Sequence, residues 1–574
     1  MSAASATMRA ERRANEQAEW STERRGAEQA EWSSADREAP YAVGRGAREE
    51  SSATVSAADR EAPYAVARGA REEASATMKT VPEMLAEHAV GLAGRAAVLA
   101  GAQAPLTFSA LWRQVESTGA ALRRLGVGRE DVVALVAPRG PASAVALVAV
   151  LSNAVVAPLD PSLTVDELTA ALSRLAARLL VVPPDCAPHI RSAAHSRGIP
   201  VQEFATLAAA GLAHPVLAGL EPDSAAMLVE TSGTTGRPKL IRITHGRLAA
   251  SAVNLGRFLG FGPADRSFNV MPLFNIGGSI SSLLLPLYSG SSVVCVRSLD
   301  EGDIASDIVR HRPTWYTAAP ALHELVLAAV RRAAAPIPFR FVRSTSAPLG
   351  HGLRAELEAV YGVPVLDAYG LSEAAGQVSS NPLPPGRRKP GTVGPPVGCE
   401  VLISTDNGPA GRAEIGEVLI RGQQVISGYG GGSGDPGDVV DGWLRTGDLG
   451  FLDADGYLVL TGRVKEVINR GGEKIAPAEV EAVLLSHPAV REAAVFPVAH
   501  PTLGEDGAAA VVLADGTDAV DPAELRRFAA SRLSAAKVPR RVLIVGELPR
   551  TALGKVPRRR MSAALGLDRA EAVT

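Results

Sequence analysis

At 574 residues the chain is too long for one ordinary hydrophobic core, so two or more domains are expected. With 46% hydrophobic and 21% charged residues it reads as globular, and a net charge of -2 excludes a strong electrostatic pull toward nucleic acid or acidic lipid. Three scattered cysteines, Cys186, Cys295 and Cys399, suit neither a disulfide framework nor a zinc site and fit a reducing, cytoplasmic setting.

Residues 1–77 are rich in Ala, Glu, Arg and Ser and repeat themselves: Glu16–Trp20 returns as Glu28–Trp32, and Asp36–Tyr41 as Asp59–Tyr64. Two copies with little to bury cannot build a solenoid, so a disordered arm is expected, or a spurious extension ahead of a true start at Met78. No secretory signal opens the chain, no apolar run is long enough to span a membrane, and the C-terminal Ala-Glu-Ala-Val-Thr is not a peroxisomal address. From Met78 the pattern turns to mixed α/β. Helical spacing marks Val81–His88 and Phe108–Leu125. Val132–Val136 and Ala154–Ala157 read as buried parallel strands closed by Pro138 and Pro158. A helix over Val165–Ala177 and a strand over Leu179–Val182 follow, and Ala144–Leu151 suits a buried strand or helix. The alternation runs to about residue 400 and predicts layered sheets with helices on their faces. Residues 400–460 read as strands and turns, with Gly430–Gly434 and Asp453–Gly456 as turns. The helix Pro477–Ser486, strands Ala493–Pro497 and Ala508–Leu513, and helix Pro522–Ser534 then predict a compact C-terminal domain of about 110 residues. The expected division is therefore 1–77, 78–462 and 463–574: a large α/β domain with a β-rich subdomain, then a small mobile α+β domain.

The strongest local signal is Thr231-Ser232-Gly233-Thr234-Thr235-Gly236-Arg237-Pro238-Lys239, which follows an apolar strand. Its two glycines let backbone N–H groups approach an oxyanion, while its hydroxyls and Lys239 add donors and charge. It lacks the Gly-Lys-Ser/Thr of a Walker loop. Taken alone it would also suit a solvated surface loop.

That string resembles the signature of the adenylate-forming superfamily, whose members include acyl-CoA synthetases, peptide-synthetase adenylation domains and luciferases. Further motifs come in the expected order and extend the resemblance over residues 78–565. Within Asp367-Ala-Tyr369-Gly370-Leu-Ser372-Glu373, the resemblance implies that Tyr369 stacks on adenine and Glu373 helps hold Mg²⁺ near the α-phosphate. Ser344–Leu349, with Ser346, Ala347 and Pro348, resembles the segment lining the adenine pocket. Asp448, in Trp443-Leu-Arg-Thr-Gly-Asp448, matches the carboxylate that binds the ribose hydroxyls, and Arg463 a second ribose contact. Lys465 matches the hinge between domains, and the Gly471-Gly472 turn lies beside the pantetheine arm of a thiol acceptor. Lys555, in Leu548–Pro557, matches the lysine that bridges the acid's carboxylate and the ATP phosphates. The implied cofactors are ATP and Mg²⁺, with CoA as co-substrate; the partners are a small acid and a thiol or amine acceptor, in a monomer or homodimer.

The stretch Ser380–Gly394 is similar to oxalate–CoA ligases and their relatives. One departure stands out: the family's Pro-Leu-Phe-His is Pro272-Leu-Phe-Asn275 here, followed by Ile276-Gly277-Gly278. The usual histidine helps wall the acyl pocket from the acceptor tunnel, and Asn275 cannot become cationic. Three readings follow: a CoA ligase; an adenylating enzyme with another acceptor, such as a diazotase-like ligase that activates nitrite for an arylamine; or an inactive nucleotide-binding relative.

Overall fold

The computed structural model describes residues 78–567 apart from 210–219, 232–238, 334–336, 406, 430–437, 515, 518–519 and 551–555. These residues all belong to one compact unit, Pro63–Thr574. The repeats of residues 1–77, the Gly430–Gly434 turn, Ser232–Pro238 and Lys555 lie outside the described residues.

Two parallel-rich sheets carry the first three hundred described positions. One has Val132–Val136 and Val155–Leu159 at its centre, flanked by Leu179–Val182 and Val201–Glu203 on one side and Ala225–Thr231 on the other. Lys239–Thr244 folds back antiparallel on Ala225–Thr231, so Thr231 and Lys239 face each other in register. The two ends of the predicted phosphate loop are thereby pinned at the edge of a sheet. The second sheet aligns Val365–Tyr369, Phe341–Ser344, Trp315–Ala318, Arg266–Asn269, Ser292–Cys295 and Ala96–Leu99, all parallel, with short antiparallel strands at both edges.

Between the sheets runs the helix Pro141–Leu151, in which Ser143 through Leu151 are all buried. Its leucines and valines join Leu135 and Val156 of one sheet and Val98, Trp315 and Phe341 of the other in a single core. An all-apolar helix has this solution: with no polar face, it must be covered all round. Some of the outer helices carry side-chain caps. Thr164 and Glu167 form a capping box ahead of Val165–Arg174, and Thr107 accepts from the Ala110 N–H at 3.2 Å ahead of Phe108–Arg124.

Pro158 does not close its strand as expected; it lies inside Val155–Leu159, opposite Leu135. Pairing on the strand's other side is confined to Val156 with Met227, so a missing N–H at 158 breaks no bond there.

The β-rich section is antiparallel: Glu400–Thr405, Gly416–Arg421, Trp443–Leu452 and Leu458–Arg463, with two short edge strands. The Asp453 turn forms as read, its carboxylate accepting from the N–H groups of Asp455 and Tyr457, both at 2.9 Å. The C-terminal section has its own sheet, from Ile468–Arg470 to Arg541–Ile544, and its own buried clusters on both faces of it. Among the described residues no helix is long and apolar enough to cross a membrane.

Candidate active site

The strand ends bring residues more than two hundred positions apart into one cluster. Lys239 opens its strand beside the phosphate loop, and its ammonium pairs with Asp438 at 2.6 Å. The same ammonium sits 4.3 Å from the centre of the Tyr429 ring. The Tyr429 hydroxyl donates to Glu373 Oε1 at 3.0 Å. The Ile426 N–H donates to the Glu373 carbonyl at 2.8 Å, so the Ile426–Tyr429 segment is tied to the glutamate by backbone as well as side chain.

Glu373 stands in the short turn Ser372–Ala374, just beyond the strand Val365–Tyr369. Burial pushes its carboxyl pKa up, partly opposed by the Tyr429 hydrogen bond. A buried carboxylate with two neutral donors, its own backbone N–H and the Tyr429 hydroxyl, is under-compensated, and an arriving cation would relieve it. Among the described residues no three His, Cys, Asp or Glu side chains gather into a metal site. The single Glu373 carboxylate fits a Mg²⁺ ion brought in by phosphates, since this ion keeps several waters and takes one or two protein carboxylates.

The second half of the cluster is built on a ladder. The strand Trp443–Leu452 pairs with Leu458–Arg463 so that Asp448 lies opposite Arg463, and Arg463 Nε meets Asp448 Oδ1 at 2.8 Å. The Tyr369 hydroxyl donates to the other oxygen of Asp448. Asp448 is buried and raises the pKa of Arg463, while burial and the adjacent carboxylate push the Tyr369 phenol well above its usual range.

Around this core the backbone is shaped for close approach. Gly370 admits no side chain, because a Cβ would lie 2.2 Å from the Gly376 carbonyl. Ser346 holds φ of 72°, a left-handed conformation rare for a non-glycine residue, and Ser346, Ala347 and Pro348 are exposed. Asn275 uses its Oδ1 to accept from the Gly277 N–H at 3.0 Å, while its carbonyl accepts from Ser279 N at 2.8 Å. The residue expected to wall the acyl pocket is therefore also a local cap. It precedes a π-helix, Gly277–Leu284, a rare element often found at functional sites. Gly278 is obligatory there: a Cβ would fall 2.1 Å from the Pro272 carbonyl.

The Asp367 carboxylate is paired with Arg354 of the helix His351–Tyr361, which anchors that helix to the sheet. In the C-terminal section Gly471 and Gly472 make the tight turn between Ile468–Arg470 and Glu473–Ile475, with φ of 59° and 98°. Lys465 lies in the turn Val464–Glu466, and its carbonyl accepts from Arg559 Nε at 3.0 Å. Arg558 reaches Glu466 at 3.1 Å and Glu481 at 2.9 Å. Arg558 and Arg559 thus fasten the helix Arg558–Ala564 to the turn Val464–Glu466, three residues beyond Lys555.

Sequence reasoning missed Tyr429 and Asp438. The signal was an aromatic residue in Ser427-Gly428-Tyr429 at the mouth of a glycine-rich segment.

The model of the AMP-binding enzyme family matches residues 85–430, and that of the AMP-binding enzyme C-terminal domain matches 479–555. A probable CoA ligase of Humulus lupulus is 38% identical over 509 residues, covering 84% of this chain and 95% of the relative. The oxalate–CoA ligase of Arabidopsis thaliana is 37% identical over 458 residues, covering 76% and 88%. The ATP-bound structure of MatB from Rhodopseudomonas palustris superposes with a TM-score of 0.76 at 26% identity, over 85% of this chain and 98% of that one.

Proposed function

The chain belongs to the AMP-binding enzyme family and is an AMP-forming acid ligase, and from that premise we propose how its residues divide the work. One carboxylate oxygen of a small acid attacks the α-phosphorus of ATP; the bond to the β-phosphate oxygen breaks, pyrophosphate leaves, and an acyl-adenylate remains. The observation that carries this reading is the continuous cluster from Lys239 through Tyr429 and Glu373 to Tyr369, Asp448 and Arg463.

In it, Thr231, Ser232, Gly233, Thr234, Thr235, Gly236 and Lys239 bind the β- and γ-phosphates. Tyr369, Gly370 and Ser346–Pro348 hold adenine, and Asp448 with Arg463 holds ribose. Ser372 and Glu373 serve the α-phosphate; Glu373 would hold Mg²⁺, which when bound would supply charge neutralisation. Lys555 bridges the acid and the phosphates. With the domain boundary placed at Arg463, rotation about Lys465 withdraws Lys555 and brings the Gly471-Gly472 turn to the acyl group, which passes to the thiol of CoA with release of AMP.

A second reading rests on Asn275. Its oxygen is committed to the Gly277 N–H, and an amide offers no base for an attacking thiol. An adenylated small anion, such as nitrite, passed to an arylamine without CoA fits that wall. A pyrophosphate-release screen over small diacids, aryl acids, fatty acids and nitrite, each with and without CoA, separates the two. Acyl-CoA formed only with a carboxylic acid and CoA supports the first. Turnover of nitrite with an arylamine and no CoA replaces it with the second.

A further inference from the structure

Lys239 draws its counter-charge from far along the chain. It opens the strand Lys239–Thr244, directly opposite Thr231, at the base of the loop assigned above to phosphates. Its side chain is 14% exposed, and an ammonium so enclosed is costly without an anion. Asp438 supplies that anion at 2.6 Å, from a side chain 20% exposed and 199 positions further on.

The two partners are held by separate parts of the fold. Lys239 is fixed by its ladder with Ala225–Thr231. Asp438 immediately precedes the short strand Val439–Val440, which pairs with Leu444 and Trp443. Tyr429 closes a third side, its ring 4.3 Å from the ammonium and its hydroxyl 3.0 Å from Glu373. Burial first, then the charges of Glu373 and Asp438, push the Tyr429 phenol above its usual range, so the Asp438 carboxylate acts on the same cluster. The nearby cation Arg445 is bonded to Glu417 at 2.8 Å. A phosphate at this loop would compete with Asp438 for one ammonium. Its oxygens would settle beside a carboxylate already in contact with Lys239, and two anions that close repel.

We propose that Asp438 is an internal stand-in for the phosphates of the nucleotide: an autoinhibitory partner that keeps Lys239 paired while the site is empty, opposes any ligand with phosphates beyond the first, and retakes the ammonium as pyrophosphate leaves. The inference rests on the assignment of Lys239 to the β- and γ-phosphates. It adds to that assignment a residue that works against binding.

The test titrates the full chain calorimetrically with three probes, ATP, pyrophosphate and AMP, and follows thermal unfolding of the ligand-free protein. Pyrophosphate carries only the contested groups, and AMP lacks them. D438N keeps the shape and an oxygen for the ammonium but removes the charge. It is expected to tighten ATP and pyrophosphate roughly 5-fold, the value of one partly exposed ion pair, to leave AMP unchanged, and to lower the unfolding midpoint. A purely structural contact would instead lose stability and affinity together. D438S is expected to move the same three affinities in the same directions, so a folding failure of one variant leaves the other to decide. ATP and pyrophosphate bound no more tightly by the folded variants, or AMP tightened as much as pyrophosphate, overturns the role of Asp438. K239M tests the premise: it is expected to weaken ATP and pyrophosphate but not AMP. Unchanged binding of all three by K239M removes Lys239 from the phosphates, and the assignment fails rather than the inference alone.

Discussion

Replacing Asp448 by Asn tests the nucleotide half of the site with almost no change of shape. Two terms are at stake. The first is structural: the ion pair with Arg463 at 2.8 Å, whose arginine side chain is 46% exposed, so its loss costs about 1 kcal/mol or less. The second is the ribose clamp. A hydroxyl hydrogen bond to a carboxylate is worth roughly 1.5–3 kcal/mol, and an amide with one oxygen, already needed by the Tyr369 hydroxyl, can keep little of it. ATP affinity should therefore fall by about 2–3 kcal/mol, or roughly 30- to 150-fold, while stability falls by about 1 kcal/mol. Calorimetric titration with ATP and with 2′-deoxy-ATP reads the two apart. Wild type should discriminate between these nucleotides, and the variant should bind both alike, because the group that senses the hydroxyl is gone. If Asp448→Asn keeps the wild-type discrimination, Asp448 is a staple between strands and the ribose role is wrong.

Other expectations follow from single residues. Lys555→Ala should cut pyrophosphate release by about 10²- to 10³-fold with ATP binding intact, and unchanged release removes the bridging role. Gly278→Ala must displace the Pro272 carbonyl, 2.1 Å from the new Cβ, and should cost about 2–3 kcal/mol in urea unfolding; a neutral result means the π-helix start yields. Burial lowers the pKa of His245 to about 4 and of His323 to about 3, so both remain neutral when folded. Below pH 6.5 the unfolded chain takes up protons that the folded chain refuses, so stability is lost as pH falls toward 4 and 3. Each histidine should cost about 2 kcal/mol between pH 7.5 and pH 5, visible as a lower urea midpoint in wild type and a smaller loss in His323→Phe.

The chain shows unevenly how it will fold. Val132–Val136 and Leu179–Val182 are readable to the residue, because a strand buried on both faces needs a continuous apolar run and has one. The helix Val165–Arg174 announces its start through Thr164 and Glu167, but its end is three residues earlier than the apolar pattern suggests. Single motifs were readable where side chain and backbone demand coincide, as at Gly370. Partnerships were not. That Asp448 meets Arg463 depends on an antiparallel register with an irregularity between Leu449 and Gly450, which no local pattern encodes. Asp367 lies beside Tyr369 in sequence but is drawn to Arg354, since proximity along a strand does not fix where a carboxylate is used. Arg343 carried a visible signal, a cation amid Phe341, Val342 and Ser344, whose meaning appears only once burial is known.

The charges of the adenylation site are held in pairs that a substrate must exchange. Lys239 is matched by Asp438 and Arg463 by Asp448, both in partly buried surroundings where an unmatched charge would be costly. On the proposed roles, ATP with its cation would supply phosphates for the lysine and a counter-charge for Glu373, so binding would replace internal partners rather than fill vacant ones. The net gain is the difference between two ion pairs, which favours geometric selection over raw affinity. Tyr429 touches both Lys239 and Glu373, so on those roles it would couple the two exchanges. Arg343 differs in kind: it is buried, and its hydrogen-bond partners among the described residues, Gln377 and Ser380, are both neutral.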